Sequence, residues 1–323
     1  MAQTRQTPKP KHPNAIEPLN ILFIGDLELR LGVPRDKLLT VANNAPSYYK
    51  PFPHSKPERP FAREKKEAKV RQIDQPTGAL VEIQQRIYYS LLRGLEMPEH
   101  ICGGVKGRSV LTNVAHHQNA GLIVSIDIKD YFPSITQDQV YLVWRRVLKC
   151  SRQVAKLLTC LTTVNDHLPQ GAPTSTTLSN MVLHSIDADI RTAAADWGVK
   201  YSSYVDDLPL SASNARELIP IVISTLKMGG FRISRSKLKV MGPRSQRIVN
   251  GVIAGTKPSI SKQHRKRIRA ALHRLRVDAI CEEDRESYIA SLKGRIMYLC
   301  SVNANQAQPF QLELSRILAL RQS

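Results

Sequence analysis

Apolar residues recur with a helical period through much of the chain. Between residues 80 and 95 they fall at positions 80, 83, 87, 91 and 95, with the charged residues elsewhere, and this spacing predicts a core helix. Similar spacing predicts one or two short helices within 21–39 and further helices within 138–163, 175–186, 215–228, 260–276, 289–299 and 310–318. The last ~65 residues are expected to form a separate small helical domain.

Strand-like runs lie between these helices. Strands are expected at 121–128 and beginning at 231–237, a turn and strand at 241–253, and hairpins at 61–73 and 201–210. The first of these strands is almost wholly apolar and ends at Asp127, and the last hairpin carries Asp206 and Asp207 at its tip. The five prolines of residues 46–60 predict an irregular connection instead of a strand.

Charge narrows the class of partner. The chain has 47 Lys and Arg against 27 Asp and Glu, which gives a net charge of +20. A cationic excess of this size predicts a polyanionic partner, with nucleic acid first and a membrane surface second. The membrane alternative is weakened because no apolar run approaches the ~18–20 residues that span a bilayer.

Cysteine usage and the N-terminal residues bear on the compartment. The five cysteines are odd in number and form no CxxC pair, so they are expected to be reduced thiols. The first residues lack the apolar core of a signal peptide. Together these features predict a cytoplasmic protein.

Three carboxylates lie at predicted strand ends. Adjacent carboxylates such as Asp206 and Asp207 repel one another by about 1 kcal/mol at roughly 4 Å in water, and by more when they are partly buried. Taken alone, the pair is typical of a solvated turn. Asp127 supplies a third carboxylate at the end of a strand that is otherwise suited to burial. The three together can hold two Mg²⁺ ions for an in-line phosphoryl transfer.

Three segments offer contacts for a nucleotide or a nucleic acid. The glycine-rich loop at 102–109 carries Lys106 and Arg108, which can meet phosphates, although it lacks the spacing of a Walker loop. The turn at 168–175 suits a bound nucleotide at a helix N-terminus, or else is a plain helix cap. The helix at 260–276 has a cationic face with almost no acidic residues. With the carboxylates, these are the parts of a nucleotide polymerase.

Three motifs resemble those of a known enzyme family. Ser-Ile-Asp-Ile-Lys-Asp-Tyr-Phe at 125–132, Leu-Pro-Gln-Gly-Ala-Pro-Thr-Ser at 168–175 and Tyr-Val-Asp-Asp at 204–207 resemble motifs A, B and C of reverse transcriptases, in that order. More narrowly, the chain resembles the bacterial retron reverse transcriptases, which are RNA-directed DNA polymerases. The segment from Asn113 to His117 is similar to their Asn-Ala-x-x-His segment, and Val249-Asn250-Gly251 is similar to their Val-Thr-Gly segment.

The resemblance covers roughly residues 60–300 and implies an α+β right-hand polymerase fold with fingers, a palm with an antiparallel sheet, and a helical thumb. It assigns an N-terminal extension to 1–60, fingers to 61–120, the motif A strand of the palm to 121–136, helices of the fingers and palm to 137–166, the rest of the palm to 167–257 and the thumb to 258–323.

The resemblance also implies roles for single residues. Asp127, Asp206 and Asp207 would be catalytic and would bind two Mg²⁺ ions with the backbone carbonyl of Ile128. The residues implied to contact the incoming deoxynucleoside triphosphate (dNTP) are Lys65, Arg71, Asp130, Tyr131, Phe132, Gln170, Gly171 and Lys237. Of these, Phe132 would abut the sugar C2′ and exclude a 2′-hydroxyl.

A further set of residues is expected to contact nucleic acid. Its members are Lys106, Arg108, Asn113, His117, Arg244, Val249, Asn250, Gly251, Lys262, Arg265, Lys266 and Arg269. The last four would form the nucleic-acid face of the thumb. Asn250 stands where the family has threonine, and this departure bears on which RNA is recognised.

Retron resemblance implies a particular set of partners. It implies a cognate structured noncoding RNA that serves as template and primer, extended from the 2′-hydroxyl of an internal guanosine to leave branched RNA–DNA (msDNA). It also implies a separate effector protein and a role in antiphage defence, with no membrane partner. The alternatives are a group II intron-like or diversity-generating reverse transcriptase, or a non-catalytic RNA-binding scaffold. The intact Asp triad argues against the scaffold, because unused metal ligands would only repel one another.

Overall fold

The computed structural model describes residues 15–55 and 70–320. Its helices are α1 (Ile24–Leu31), α2 (Arg35–Asn43), α3 (Gly78–Ile87), α4 (Val110–His116), α5 (Tyr131–Ser134), α6 (Gln137–Leu142), α7 (Arg152–Thr162), α8 (Ser175–Ile186), α9 (Ala188–Asp196), α10 (Ile219–Met228), α11 (Lys262–Arg276), α12 (Glu282–Val302) and α13 (Ala304–Ala319). Each helix predicted from the apolar spacing is present. Within these residues, no helix combines the length and the apolar character needed to cross a bilayer.

The strands are β1 (Tyr49–Ser55), β2 (Val70–Pro76), β3 (Ile123–Asp127), β4 (Lys200–Tyr201), β5 (Asp207–Ser211), β6 (Lys239–Met241), β7 (Ile248–Val249), β8 (Val252–Ile253) and β9 (Ser259–Ile260). They form a two-stranded, a four-stranded and a three-stranded sheet.

The four-stranded sheet carries the predicted carboxylates. It is antiparallel, with the strand order β4-β5-β3-β6. Ile123 and Ile126 of the inner strand β3 are fully buried, which is where β-branched side chains pack well. β3 pairs with β5 so that Asp127 lies opposite Asp207. The buried strand and the Asp-Asp hairpin predicted from the sequence are therefore confirmed.

The N-terminal segment packs into the main apolar core around this sheet. Ile21, Leu27 and Leu38 are fully buried in that core. The Ser151 N–H at the start of α7 donates to the Ile21 carbonyl at 2.9 Å. Residues 16–49 therefore belong to the body of the molecule.

The irregular connection expected at 46–60 is wrong for β1. This strand pairs with β2 in an antiparallel register that runs from Tyr49 opposite Pro76 to Ser55 opposite Val70. Pro51 and Pro53 are two positions apart, so their missing N–H groups face the same side, and both fit the outer edge of a two-stranded ribbon. Most of the basic hairpin expected at 61–73, including Lys65, lies outside the described residues.

The strand expected at 231–237 is also wrong. Ile233 forms a single bridge with Ile128, and the chain then makes a 3₁₀ turn at Arg235–Lys237 before β6 begins. The reason is that β3 ends at Asp127, so little strand remains to pair with. The turn has a consequence for chemistry because it delivers Lys237 to the carboxylates.

A second apolar cluster, called here the C-terminal core, joins α11, α12 and α13 to the small sheet β7-β8-β9. Leu272, Leu299 and Phe310 are buried in it together with Val249 and Val252. The apolar stripe predicted for 260–276 is confirmed. Because β7 and β8 share this core, the C-terminal core includes residues that precede position 258.

Candidate active site

Three carboxylates converge at one end of the four-stranded sheet. Asp127 is the last residue of β3, Asp207 is the first residue of β5, and Asp206 lies in the turn between β4 and β5. Tyr204 and Asp207 close that turn with reciprocal N–H to carbonyl bonds of 2.8 and 3.2 Å. Val205 takes a φ of 61°, a left-handed conformation that is energetically costly for a β-branched residue. Such a conformation persists only where the surrounding structure enforces it.

Burial and mutual repulsion perturb two of these carboxyl groups. Burial raises the pKa of Asp207 to about 6, and the charges of Asp206 and Asp127 contribute to the rise. A hydrogen bond from the Ser125 side chain opposes it. The pKa of Asp206 is also raised, first by burial and then by the charge of Asp127. Carboxylates crowded in this way are relieved by a divalent cation with oxygen ligands.

Lys237 supplies one positive charge to this cluster. Its Nζ donates to both oxygens of Asp127, at 2.6 and 2.7 Å. The family resemblance implied that Lys237 contacts the incoming nucleotide, and in the structure its ammonium is paired with Asp127, a candidate metal ligand. Its charge, like that of Arg71, partly offsets the raised pKa of Asp206.

The Asp207 carboxylate is held from two sides. Ser125 Oγ donates to Oδ1 at 2.8 Å, and Asn250 Nδ2 donates to Oδ2 at 2.9 Å. Asn250 and Gly251, with φ of 47° and 83°, form the two-residue turn between β7 and β8. Ser125 was missed from the sequence. Its position two residues before Asp127, on the same face of β3, was the available signal.

Three residues expected to contact RNA are enclosed by protein. Asn113, in the middle of α4, and His117, directly after its end, are fully buried, and so is Val249. His117 bonds to Ser202 and Ser211 at 2.8 Å each. Burial, with smaller contributions from nearby positive charges, lowers the pKa of His117 to about 3, so it is neutral. The expectation that these side chains touch RNA directly is therefore corrected.

The predicted nucleotide turn lies against β2. The Asp74 N–H donates to the Gln170 carbonyl at 2.9 Å. Gly171 has a φ of 120°, and a Cβ there would lie 2.9 Å from the Ile73 side chain. Only glycine fits both this backbone conformation and the short distance to Ile73. The turn therefore lies next to β2, the strand that carries Arg71.

The segment after β3 is compact. Asp130, exposed and at a φ of 47°, precedes α5. Tyr131 is buried and donates its hydroxyl to the Ser179 carbonyl at 2.7 Å, while Phe132 is half-buried with its ring 5.7 Å from that of Tyr131. The Ile128 N–H donates to the Asp206 carbonyl at 2.8 Å, which ties the end of β3 to the turn that carries Asp206.

The glycine-rich loop packs against the Asp-Asp hairpin. A Cβ on Gly103 would lie 2.6 Å from the Val205 backbone nitrogen. Asn180 Nδ2 donates to the Gly103 carbonyl at 2.7 Å, and the Cys102 N–H donates to the Ser203 carbonyl at 2.8 Å. The absence of a side chain at Gly103 thus allows the backbone of the hairpin to approach this loop.

Arg108, in the same loop, is corrected from a phosphate contact to a structural residue. Its guanidinium donates to the carbonyls of Met97, Pro98 and Ile101, each at 2.5 Å. Lys106 is exposed to solvent.

A cationic groove of about 910 Å³ runs between α11 and α13. The expected nucleic-acid residues that line it are Lys262, Arg265, Lys266 and Arg269. The Arg269 guanidinium lies 5.7 Å from the centre of the Phe310 ring, a cation–π contact that holds it over the groove floor. Arg244 is exposed elsewhere, between β6 and β7.

His100, His184 and Asp187 form a separate cluster whose possible ligand atoms lie within 4.8 Å of one another. Arg191 already binds the Asp187 carboxylate at 2.7 Å, and the Tyr201 hydroxyl donates to it at 3.1 Å. The charge of Asp187 is thus compensated by Arg191.

Known proteins resemble this chain in sequence. Residues 63–266 match the family model described as reverse transcriptase (RNA-dependent DNA polymerase). The retron Ec86 reverse transcriptase of Escherichia coli is 31% identical over 265 residues, which cover 80% of this chain and 81% of that protein. The retron Mx65 reverse transcriptase of Myxococcus xanthus is 30% identical over 271 residues, which cover 77% of this chain and 62% of that protein.

This chain therefore spans less than two thirds of the Myxococcus relative. Among solved structures, the foamy viral protease-reverse transcriptase in complex with double-stranded DNA matches with a TM-score of 0.43 and 14% identity. That match covers 84% of this chain and 43% of the viral chain.

Proposed function

This chain belongs to the reverse transcriptase family, with retron members among its relatives, and from that premise we propose that it copies part of a cognate structured noncoding RNA into DNA. The resemblance drawn from the three motifs, and the α+β right-hand polymerase fold that it implied, are confirmed. The observation that carries the proposed activity is the convergence of Asp127, Asp206 and Asp207 at one sheet end, next to Lys237.

The carboxylates fit a divalent-metal centre. Their burial and mutual repulsion raise the pKa of Asp206 and Asp207, and a hard cation with oxygen ligands relieves both effects. Asp127, Asp206 and Asp207 would hold two Mg²⁺ ions, with the carbonyl of Ile128. Bound there, the ions supply activation of an attacking hydroxyl and stabilisation of the departing oxygen in nucleotidyl transfer.

The surrounding residues would bind the incoming dNTP. Arg71 extends from β2 near enough to Asp206 to influence its pKa, which places a guanidinium beside the triad where a triphosphate would enter. Gln170 and Gly171 border the nucleotide from the turn packed on β2, with the backbone of Asp130 and Tyr131 on the other side. Phe132 faces the sugar and selects against a 2′-hydroxyl.

The RNA would lie along the cationic groove. We assign the four-stranded sheet to the palm, β1 and β2 to the fingers, and α11 to α13 to the thumb. Lys262, Arg265 and Lys266 neutralise backbone phosphates there, a contact that fixes position without reading sequence.

The retron relatives support a more specific product. The enzyme would extend DNA from the 2′-hydroxyl of an internal guanosine of its RNA and leave branched msDNA. It would act in the cytoplasm, beside a separate effector protein, in antiphage defence. The five free cysteines fit a reducing compartment.

Purification from the native host, followed by sequencing of the bound nucleic acid before and after RNase treatment, tests this proposal. One branched RNA–DNA of defined sequence is expected with the wild-type chain, and RNA alone with Asp207→Asn. Asp189→Asn, at an exposed position on α9, is the matched control and should yield normal DNA. Normal DNA yield from Asp207→Asn would refute the proposed chemistry. Heterogeneous RNA without a branch would point to an intron-like enzyme.

A further inference from the structure

A chain of five hydrogen bonds runs through buried protein to the Asp207 carboxylate. It starts at Ser211 on β5, passes through His117 and Ser202, crosses Asn113 on α4, and reaches Asp207 through Asn250. The distances in that order are 2.8, 2.8, 2.5, 2.5 and 2.9 Å. We call these residues the Asn relay.

The chemistry of each group fixes the direction of the relay. Ser202 has one hydroxyl hydrogen, and it goes to Asn113 Oδ1, which can only accept. His117 Nε2 must then donate to Ser202, so His117 Nδ1 accepts from Ser211. Every bond therefore donates toward Asp207. Hydrogen bonds aligned in this way polarise and strengthen one another.

Burial leaves the relay little freedom to rearrange. Asn113, His117 and Ser202 are fully buried, and Ser211 nearly so. Breaking one bond would leave a buried donor or acceptor unsatisfied, which costs about 1–3 kcal/mol. The relay therefore specifies one orientation of the Asn250 amide.

That orientation decides how Asp207 meets a metal. The Asn250 amide occupies one lone pair of Oδ2, and Ser125 occupies one lone pair of Oδ1. Each carboxylate oxygen keeps a second lone pair for an ion. Since two donors pin both oxygens, the plane of the carboxylate is set before any metal arrives.

The relay also joins two parts of the molecule. Asn250 stands in the turn between β7 and β8, whose Val249 and Val252 are buried in the C-terminal core with α11 to α13. Asn113 stands on α4, and Val114 beside it is buried in the same core. The catalytic carboxylate is thus held from the side that carries the cationic groove.

We propose that Asn250 and Asn113 are positioning residues that orient the Asp207 carboxylate for metal binding. This assigns to two residues expected to contact RNA a role inside the active site. The inference rests on the proposed polymerase function for its effect on rate, but its effect on metal affinity can be measured without any turnover.

The test compares Asn250→Gly with Asn119→Gly. Glycine accepts the positive φ of both positions, so each change removes an amide and spares the backbone. Asn119 is exposed and outside the site. Ser202→Ala is a second variant that breaks the relay two bonds away from Asp207. Near-ultraviolet circular dichroism confirms that each variant is folded.

Two readouts are measured, Mn²⁺ affinity of the nucleic acid-free protein by calorimetry and kcat on an RNA template. Asn250→Gly should weaken Mn²⁺ binding by about 10- to 100-fold, the usual effect of removing a partner of a metal ligand. The kcat should fall with it, RNA affinity should be unchanged, and Ser202→Ala should act in the same direction. Asn119→Gly should match the wild-type chain.

The outcomes separate the two proposals. If the wild-type chain makes no DNA, the polymerase function fails, while a selective loss of Mn²⁺ affinity in Asn250→Gly still supports the relay. If the wild-type chain is active and Asn250→Gly matches Asn119→Gly in Mn²⁺ affinity and kcat, the relay is overturned. Weaker RNA binding with unchanged Mn²⁺ affinity would also overturn it and would return Asn250 to the RNA.

Discussion

Lys237 donates to both carboxylate oxygens of Asp127, across 110 positions of sequence. Burial and the neighbouring carboxylates raise the pKa of Asp206 and Asp207, and the Lys237 ammonium partly offsets that rise. One lysine therefore supplies counter-charge to all three members of the triad. A bound divalent ion would be attracted by the same negative charge. The lysine and the ion would therefore both reduce the repulsion among the three carboxylates.

Lys237→Gln should make the metal-free protein less stable and more dependent on Mg²⁺. Without the ammonium, the carboxylates repel one another with less compensation. Thermal unfolding in EDTA and in Mg²⁺ should then show a larger Mg²⁺-induced rise in Tm than in the wild-type chain. Lys227→Gln, at an exposed position on α10, is the control. An equal rise in Lys237→Gln and the wild-type chain would contradict this view of the pair.

Phe132→Ala should weaken selection between deoxynucleotides and ribonucleotides. The half-buried ring lies directly after Tyr131, where the proposed nucleotide sugar would sit. The ratio of kcat/KM for dATP to that for ATP should fall by about 10- to 200-fold, the range for one small group in an apolar pocket. Phe23→Ala, which removes an exposed ring at α1, should leave the ratio unchanged. An unchanged ratio in Phe132→Ala would remove the ring from sugar selection.

The convergence of the three carboxylates at one end of the sheet could be predicted from the sequence. Asp127 follows an apolar run, and Asp206-Asp207 interrupts a strand-like one, so a local pattern placed all three at strand ends. Local periodicity likewise located the helices. β1 escaped prediction because the cost of Pro51 and Pro53 depends on which edge of a sheet they face, and that edge is set by tertiary structure.

The Asn relay could not be predicted for a different reason. Asn113 and Asn250 lie 137 positions apart in the sequence. From the local sequence alone, Asn113 is a polar residue of a helix and Asn250 a polar residue of a turn. The full burial of Asn113 and the partial burial of Asn250 depend on residues that are distant in sequence. Polar residues of this kind were therefore expected on the surface, facing RNA.

Replacing Arg265, Lys266 and Arg269 together by Gln should weaken RNA binding and reduce its salt dependence. The three side chains line the cationic groove, and each phosphate contact contributes about 0.7–0.9 to the slope of log K against log salt. Fluorescence anisotropy over a salt series should show the slope reduced by about 2–3. The control triple replaces three cations exposed elsewhere, Arg146, Arg152 and Lys156. If the groove variant keeps the wild-type slope, the RNA lies on another surface.

Gly103→Ala should abolish most DNA synthesis in a folded protein. The added Cβ would lie 2.6 Å from the Val205 backbone nitrogen, so the catalytic hairpin must shift. A displacement near 1 Å at reacting groups can cost about 100-fold in rate, and kcat should fall by at least that factor.

Gly94→Ala is the control, because no atom lies within 4 Å of the Cβ that it would add. Single-turnover extension of a primed RNA template measures the rate, and RNA binding should be unchanged since the cationic groove is untouched. Wild-type kcat in Gly103→Ala would show that the loop yields instead of the hairpin, and that the position of Asp206 is set by β3 and β5 alone.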